Sequence, residues 1–288
     1  MAAEHRGDGV EGGPGRVGPE APPPGGDSPL AVAIGARDRE VLQMVREAVA
    51  TRSVRLAYQP VVQAGATDNI AFHEGLIRLL DRSGRVIPAR DFIDTVETLE
   101  LGRQIDCLAL ELGLQTLQQN PGVRLSVNMS ARSIGYAGWM DTLRRGLAGA
   151  PTLGERLILE ITESSAMGMP ELVSAFMRDL QVQGVAFALD DFGAGFTSFR
   201  YLREFLFDIV KIDGQFVRNI AEDPDNQVLL SALVTIARHF DMFTVAESVE
   251  TEADAAFCTG LGVTCLQGYH FGAPTLRPVW TEASRLTA

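Results

Sequence analysis

From residue 51 onward, short apolar runs alternate with longer amphipathic stretches. Runs with strand character fall at residues 55–62, 70–78, 124–128, 157–161, 185–190, 209–212, 243–246 and 264–267. The first two are separated only by Ala64-Gly65-Ala66-Thr67-Asp68-Asn69, a turn-rich segment that suits a hairpin and so makes the first strand antiparallel. Later runs are separated by helical patterns. Leu101, Ile105, Leu108 and Leu112 form one stripe, and residues 228–240 form another. Strand–helix alternation implies parallel pairing through crossovers, and eight strands within about 230 residues imply an α/β fold of the closed (β/α)8, TIM-like class. A doubly wound open sheet satisfies the same alternation. Upstream, Val41, Leu42, Val45 and Val49 recur at helical spacing, which predicts a helical lead-in over 30–50. Residues 1–29 hold eight Gly and six Pro with almost no bulky apolar side chain, so they are expected to be disordered, with a barrel domain over 51–282.

Polar residues interrupt the apolar runs at their C-terminal ends. Asn128 follows Leu125-Ser126-Val127, Glu160 lies in Leu157-Ile158-Leu159-Glu160-Ile161-Thr162-Glu163, and Asp190-Asp191 follow Val185-Ala186-Phe187-Ala188-Leu189. Lys211, Glu247 and Gln267 close three further strands in the same way. In a parallel barrel those ends open on one face, where barrel enzymes place their chemistry. Glu74, Glu160, Glu163, Asp190, Asp191, Glu247 and Glu250 would crowd that mouth, with Lys211 and Arg78 as the nearby cations. Close like charges raise one another's pKa, and divalent cations relieve the conflict. Oxygen donors alone, carboxylates plus the Asn128 amide, favour a hard ion such as Mg²⁺ or Mn²⁺ over Zn²⁺. Two such ions clamp the attacking and leaving oxygens of a phosphoester displacement. His73 adjoins Glu74, but strand alternation sends it to the opposite face. Asp191-Phe192-Gly193 spells the kinase triplet without the glycine-rich loop or H-R-D that would give it meaning.

Composition narrows the picture. The 288 residues are 46% hydrophobic and 22% charged, with a formal net charge of −12. That is ordinary globular usage, and the acidic balance argues against duplex nucleic acid held by its backbone. No run of about 18 apolar residues predicts a membrane span. The N-terminus lacks a signal-peptide layout. Three cysteines without C-x-x-C spacing argue against a disulfide framework, so a cytoplasmic location is expected. Of the 25 basic residues, 24 are arginine, and the one lysine is Lys211. Lysine offers a compact ammonium and a pKa that its surroundings can shift, which arginine does not.

The motifs together carry a family likeness. Tyr58-Gln59-Pro60, Glu74-Gly75-Leu76-Ile77-Arg78, Val127-Asn128-Met129-Ser130, Glu160-Ile161-Thr162-Glu163-Ser164, Asp190-Asp191-Phe192-Gly193-Ala194-Gly195-Phe196, Lys211-Ile212-Asp213, Ala246-Glu247-Ser248-Val249-Glu250-Thr251 and Gln267-Gly268-Tyr269 occur in that order. Across about residues 50–280 the chain resembles the EAL-domain family of cyclic-di-GMP phosphodiesterases. The resemblance implies a modified barrel with an antiparallel first strand, and hydrolysis of cyclic di-GMP to linear 5′-pGpG with Mg²⁺ or Mn²⁺. It implies Glu74, Asn128, Glu160 and Asp190 as ligands of one ion, and Asp190 shared with a second ion held also by Asp191 and Glu247. It places Lys211 against the attacking water, and Arg78 and Gln59 against the phosphate and sugar–base portion of the substrate. Glu163 would hold the loop after Asp191, and Glu250 and Gln267 would lie at the rim of the ion site. A homodimer through the region after Asp191 is also implied.

The chain departs from the family pattern at three places. The eponymous alanine is Gly75, the segment after Arg78 reads Leu79-Leu80-Asp81-Arg82 in place of the usual Trp and His-Pro, and Ser248 stands where glycine is usual. A positive φ at Ser248 would cost energy and could displace Glu247. These departures support a second reading, a cyclic-di-GMP receptor or scaffold with weak turnover. An unrelated metal-dependent barrel phosphohydrolase is a third.

Overall fold

The computed structural model describes residues 28–150, 152–195, 202–278 and 280. The chain divides into two units, residues 1–40 and 41–288. Helix α1 (Pro29–Ala50) runs through both, and within the second unit it buries Val45 and Ala48. The tail expected to be disordered lies outside the described residues up to position 27.

Strands β1 (Val54–Gln63), β2 (Ala66–Leu80), β4 (Leu125–Asn128), β5 (Leu157–Thr162), β6 (Ala186–Phe192), β7 (Ile209–Ile212), β8 (Phe243–Ala246) and β9 (Cys265–Gln267) close into a ring. From β2 round to β9 each neighbour is parallel, whereas β1 runs antiparallel to both β2 and β9. The barrel with a reversed first strand is therefore present, and closure through β1 excludes the open doubly wound sheet. The long hairpin pairing of β1 and β2 gives the reason: a crossover helix is needed only between parallel strands.

Two details differ from the sequence expectation. The β1–β2 turn is confined to Ala64-Gly65, because Ala66 to Asn69 extend β2. A short strand, β3 (Val86–Pro88), pairs antiparallel with the end of β2 outside the ring. Three residues between turns carry too little pattern to announce a strand.

Between strands lie α2 (Ile93–Val96), α3 (Glu100–Gln119), α4 (Ala137–Ala148), α5 (Glu163–Gly168), α6 (Pro170–Gln181), α7 (Pro224–His239) and α8 (Glu252–Leu261). The leucine stripe lies on α3, and α7 carries the second helical stripe. Leu157, Leu159 and Ile161 of β5 join the core on the helix side, while alternation turns Ile158 and Glu160 into the barrel.

The barrel interior is layered. Val61, Phe72, Ile158, Ala188, Ile209, Val245 and Cys265 pack together as an apolar floor. One pleat further up, the same strands present Gln59, Glu74, Glu160, Asp190, Lys211, Glu247 and Gln267. The period of two that makes the floor also makes the polar layer above it. Parallel pairing then sets Asn128 beside Glu160, and the β1–β2 register sets Gln59 beside Glu74.

Candidate active site

The polar layer converges on Lys211. Its side chain is 1% exposed, and Nζ donates to Asp190 Oδ1 at 2.9 Å, Glu160 Oε2 at 3.0 Å and Glu74 Oε2 at 3.4 Å. Glu247 Oε1 lies 2.7 Å from the same nitrogen. Burial alone would favour a neutral amine, but four carboxylates outweigh it and hold the lysine pKa well above its usual value. The shift that lysine permits therefore runs upward. Lys211 is a fixed ammonium donor in this arrangement and not a proton acceptor.

Each carboxylate answers to a different balance. Burial opposes ionisation of Glu74, yet Lys211 and hydrogen bonds from Gln267 Nε2 (2.6 Å) and Asn128 Nδ2 (3.0 Å) outweigh it and lower its pKa. Glu160 is fully buried, and burial with the charges of Glu74 and Asp190 raises its pKa well above the usual carboxylate value despite Lys211. Burial likewise pushes Glu247 up to about 8 against the pull of Lys211. Asp191 is pushed to about 6 by burial and by Asp190 beside it. One ammonium does not neutralise this many acids.

Asp190 and Asp191 are successive residues of a strand, and alternation would send them to opposite faces. Asp191 instead adopts φ 57°, and the β6–β7 register slips between Leu189 and Phe192. That irregularity turns both carboxylates toward the mouth. Ligand atoms of Asp190, Asp191 and Glu247 all lie within 4.8 Å of one another. Glu160 Oε1 and Gln267 Oε1 are buried without hydrogen-bond partners. Asn128 donates through its amide nitrogen to Glu74, which leaves its carbonyl oxygen to accept. All-oxygen donors, orphaned buried oxygens and surplus negative charge fit a hard divalent cation.

The remaining residues divide. Glu163 opens α5, and its Oε2 accepts from Gly193 N at 3.1 Å, so it reaches the loop after Asp191. Residues 196–201 of that loop lie outside the described residues. Gln59 Oε1 accepts from Gln267 Nε2 at 3.2 Å, and Gln59 Nε2 donates to the Gly272 carbonyl. Gln267 borders the ion cluster from inside the barrel. It is buried and bonded to Glu74, because it ends β9 on the inward face. Glu250 is exposed and lines the cavity. Arg78 is half-buried; burial lowers its pKa, and the charges of Glu74 and Tyr269 in the cavity wall oppose that shift. It lies four residues beyond Glu74 on β2, about 13 Å along the strand, and bonds the Ile77 carbonyl.

The cavity over this cluster measures about 490 Å³. Gln59, Glu74, Asp190, Lys211, Glu247 and Gln267 line it, together with Arg218, Ser248 and Tyr269. Sequence reading missed Arg218, a cation at the mouth. Its signal was a position seven residues after Lys211, in the segment that follows β7, which pattern alone does not convert into proximity. Asp213 was quoted within a motif but given no role; it lies close enough to Asp191 to raise its pKa. Asp106 on α3 was also missed. It accepts from Ser130 N (3.0 Å) and Ser133 Oγ (2.6 Å), and so holds the turn that follows Asn128.

The departures from the family pattern have local explanations. Leu79 is wholly buried in the core, and Asp81 accepts from Ser83 N and Arg85 N to shape the turn into β3. Leu79 to Arg82 contribute nothing to the cavity lining. Ser248 does take a positive φ, 56°, but Glu247 remains in contact with Lys211. The carboxylate is not displaced.

The EAL domain model matches residues 42–274. The chain belongs to the EAL domain family. It is 32% identical over 250 residues to the bifunctional diguanylate cyclase/cyclic di-GMP phosphodiesterase MucR of Pseudomonas aeruginosa, and 31% identical over 237 residues to the cyclic di-GMP phosphodiesterase PdeB of Shewanella oneidensis. Those alignments take in 84% and 80% of this chain but only 36% and 27% of the relatives. The PaMucR phosphodiesterase in complex with c-di-GMP superposes with a TM-score of 0.72 at 31% identity, over 84% of this chain and 99% of that one. The FimX EAL domain from Pseudomonas aeruginosa bound to c-di-GMP gives 0.75 at 25% identity, over 83% and 97%. No described helix is long and apolar enough to cross a membrane.

Proposed function

We propose that this EAL domain hydrolyses cyclic di-GMP to linear 5′-pGpG. One observation carries the reading: of the acidic positions that the motifs nominate as ion ligands, Glu74, Glu160, Asp190 and Glu247 meet around Lys211, and Asp191 joins Asp190 and Glu247 beside them. Receptor function without turnover needs no such concentration of carboxylates. Relatives named as cyclic di-GMP phosphodiesterases support the substrate.

In the reaction, a water oxygen attacks one phosphorus, the P–O3′ bond breaks, and the 3′ oxygen leaves with a proton. Glu74, Asn128, Glu160 and Asp190 would hold one Mg²⁺ or Mn²⁺, and Asp190, Asp191 and Glu247 a second. Bound there, the ions would lower the pKa of water and offset charge on the leaving oxygen. Lys211 Nζ holds Glu160, Asp190 and Glu247 in one geometry and would donate a hydrogen bond that orients the attacking water. Asp190 and Asp191 are brought together by the backbone irregularity in β6, before any substrate arrives. Gln59, hydrogen-bonded to Gln267, presents its amide to the cavity wall. Glu163 holds the Gly193 turn, and Arg78, near enough to Glu74 and Tyr269 to feel their charge, would lie against the phosphate or sugar–base portion of the substrate.

The homodimer through the stretch after Asp191 belongs to the same proposal and is tested by sedimentation. So does a cytoplasmic location, which three free cysteines favour through the redox state they imply. The activity itself is tested by incubating the protein with cyclic di-GMP and Mg²⁺ and separating the products. Accumulating 5′-pGpG supports hydrolysis; bound but intact cyclic dinucleotide supports the receptor.

A further inference from the structure

Serine 248 occupies an unfavourable backbone conformation beside an ion-ligand candidate. A φ of 56° is strained for a residue with a side chain and free for glycine. The hydroxyl has a partner that explains the choice. Arg218 Nη2 donates to Ser248 Oγ at 3.3 Å. Ser248 Cβ and Oγ also fill the space above Gly214, where a methyl group would overlap both atoms. Gly214 in turn accepts from Arg218 N at 2.9 Å. Gly214, Arg218 and Ser248 therefore form one contact that joins the loop after β7 to the loop after β8.

Charge gives that contact a purpose. Lys211 and Arg218 line the cavity, and Arg78 lies on the β2 side, near enough to Glu74 and Tyr269 of the wall to feel their charge. Lys211 is buried and committed to four carboxylates. Arg218 is exposed at the mouth, and its planar fork has five N–H donors, of which the serine takes one. A cyclic dinucleotide carries two phosphodiesters. The one being cut must sit over the carboxylate cluster, and the other lies across the ring, where those acids would repel it.

We propose that Arg218, oriented by Ser248, binds the phosphodiester that is not being cleaved. It thereby selects a two-phosphate substrate over a simple diester. This inference rests on the cavity being a cyclic-di-GMP site. Arg218 is the binding residue, and Ser248 is a positioning residue that acts through it.

The test compares cyclic di-GMP with bis(p-nitrophenyl) phosphate, which has a single phosphodiester, in the full chain with Mg²⁺. Arg218→Ala is expected to lower the selectivity ratio, the kcat/KM for cyclic di-GMP over that for the simple diester, by about 10- to 100-fold. That is the size of one lost hydrogen bond to a charged group. The loss should fall on KM. Arg218→Lys should recover part of it, because the charge remains while the fork is lost. Ser248→Gly relaxes the backbone and removes the hydroxyl, and should raise the dinucleotide KM by roughly two- to fivefold. An unchanged ratio in Arg218→Ala, or equal losses on both substrates, overturns the inference and leaves the hydrolase reading standing. A wild type that binds cyclic di-GMP without cleaving it overturns the hydrolase reading. In that case Arg218→Ala must still weaken binding tenfold or more, or the inference fails as well.

Discussion

Glu163 Oε2 accepts a hydrogen bond from Gly193 N at 3.1 Å, joining the end of β5 to the turn that leaves β6. Gly193 has φ 92°, and a side chain there would strike Phe216, so only glycine fits this turn. The other oxygen of Glu163 is buried without a partner. Glu163→Gln keeps an acceptor but removes the charge that strengthens it. We expect kcat to fall roughly tenfold while the melting temperature moves by only a few degrees. Stopped-flow turnover alongside calorimetry checks this. A wild-type rate at every Mg²⁺ concentration would remove Glu163 from the positioning role.

Lys211 is the centre of charge balance in the site. Lys211→Met removes the ammonium from among four acids and leaves them uncompensated, a loss on the order of 3–5 kcal/mol of stability. Divalent ions should restore much of it, because they supply the missing positive charge. Denaturation in EDTA and in saturating Mg²⁺ measures both values. Equal destabilisation in the two conditions would contradict the charge-balance account. Lys211→Arg should also lose turnover, by roughly 10²- to 10³-fold, the size of one misplaced charge-stabilising donor, since a planar guanidinium does not fit where a compact ammonium meets four oxygens.

Asp106 gives a pH prediction away from the ion cluster. Burial raises its pKa from 3.8 to about 6, against hydrogen bonds from Ser133 and Ser130. Between those values the folded chain binds more protons than the unfolded chain, so this group lowers stability as pH rises from about 4 to about 6. Above pH 6 the penalty is constant. Asp106→Asn should therefore flatten the stability profile over that window. Urea titrations at pH 4.5, 5.5 and 7 read the slope, and an unchanged slope would contradict burial of an ionisable Asp106.

Much of this arrangement was legible in the chain because the barrel repeats one rule. An inward apolar residue is followed two positions later by a polar one, as in Ile158 and Glu160 or Val245 and Glu247. Such a pattern is local and survives without coordinates. Asp190-Asp191 was legible as a pair at a strand end where alternation breaks down, and the positive φ of Asp191 is the form that break takes. Arg218 and Asp106 act through contacts with Ser248 and with the Ser130–Ser133 turn, which are distant in sequence. The short β3 left no periodicity to find.

The central claim is that water cuts one phosphodiester of cyclic di-GMP at the carboxylate cluster. Single-turnover hydrolysis in H₂¹⁸O with Mg²⁺, followed by mass spectrometry of the product, tests it directly. The account predicts one ¹⁸O atom in the 5′-phosphate of pGpG and none at the 3′ hydroxyl. Product labelled at the 3′ oxygen, or cyclic dinucleotide recovered intact after prolonged incubation, would contradict it.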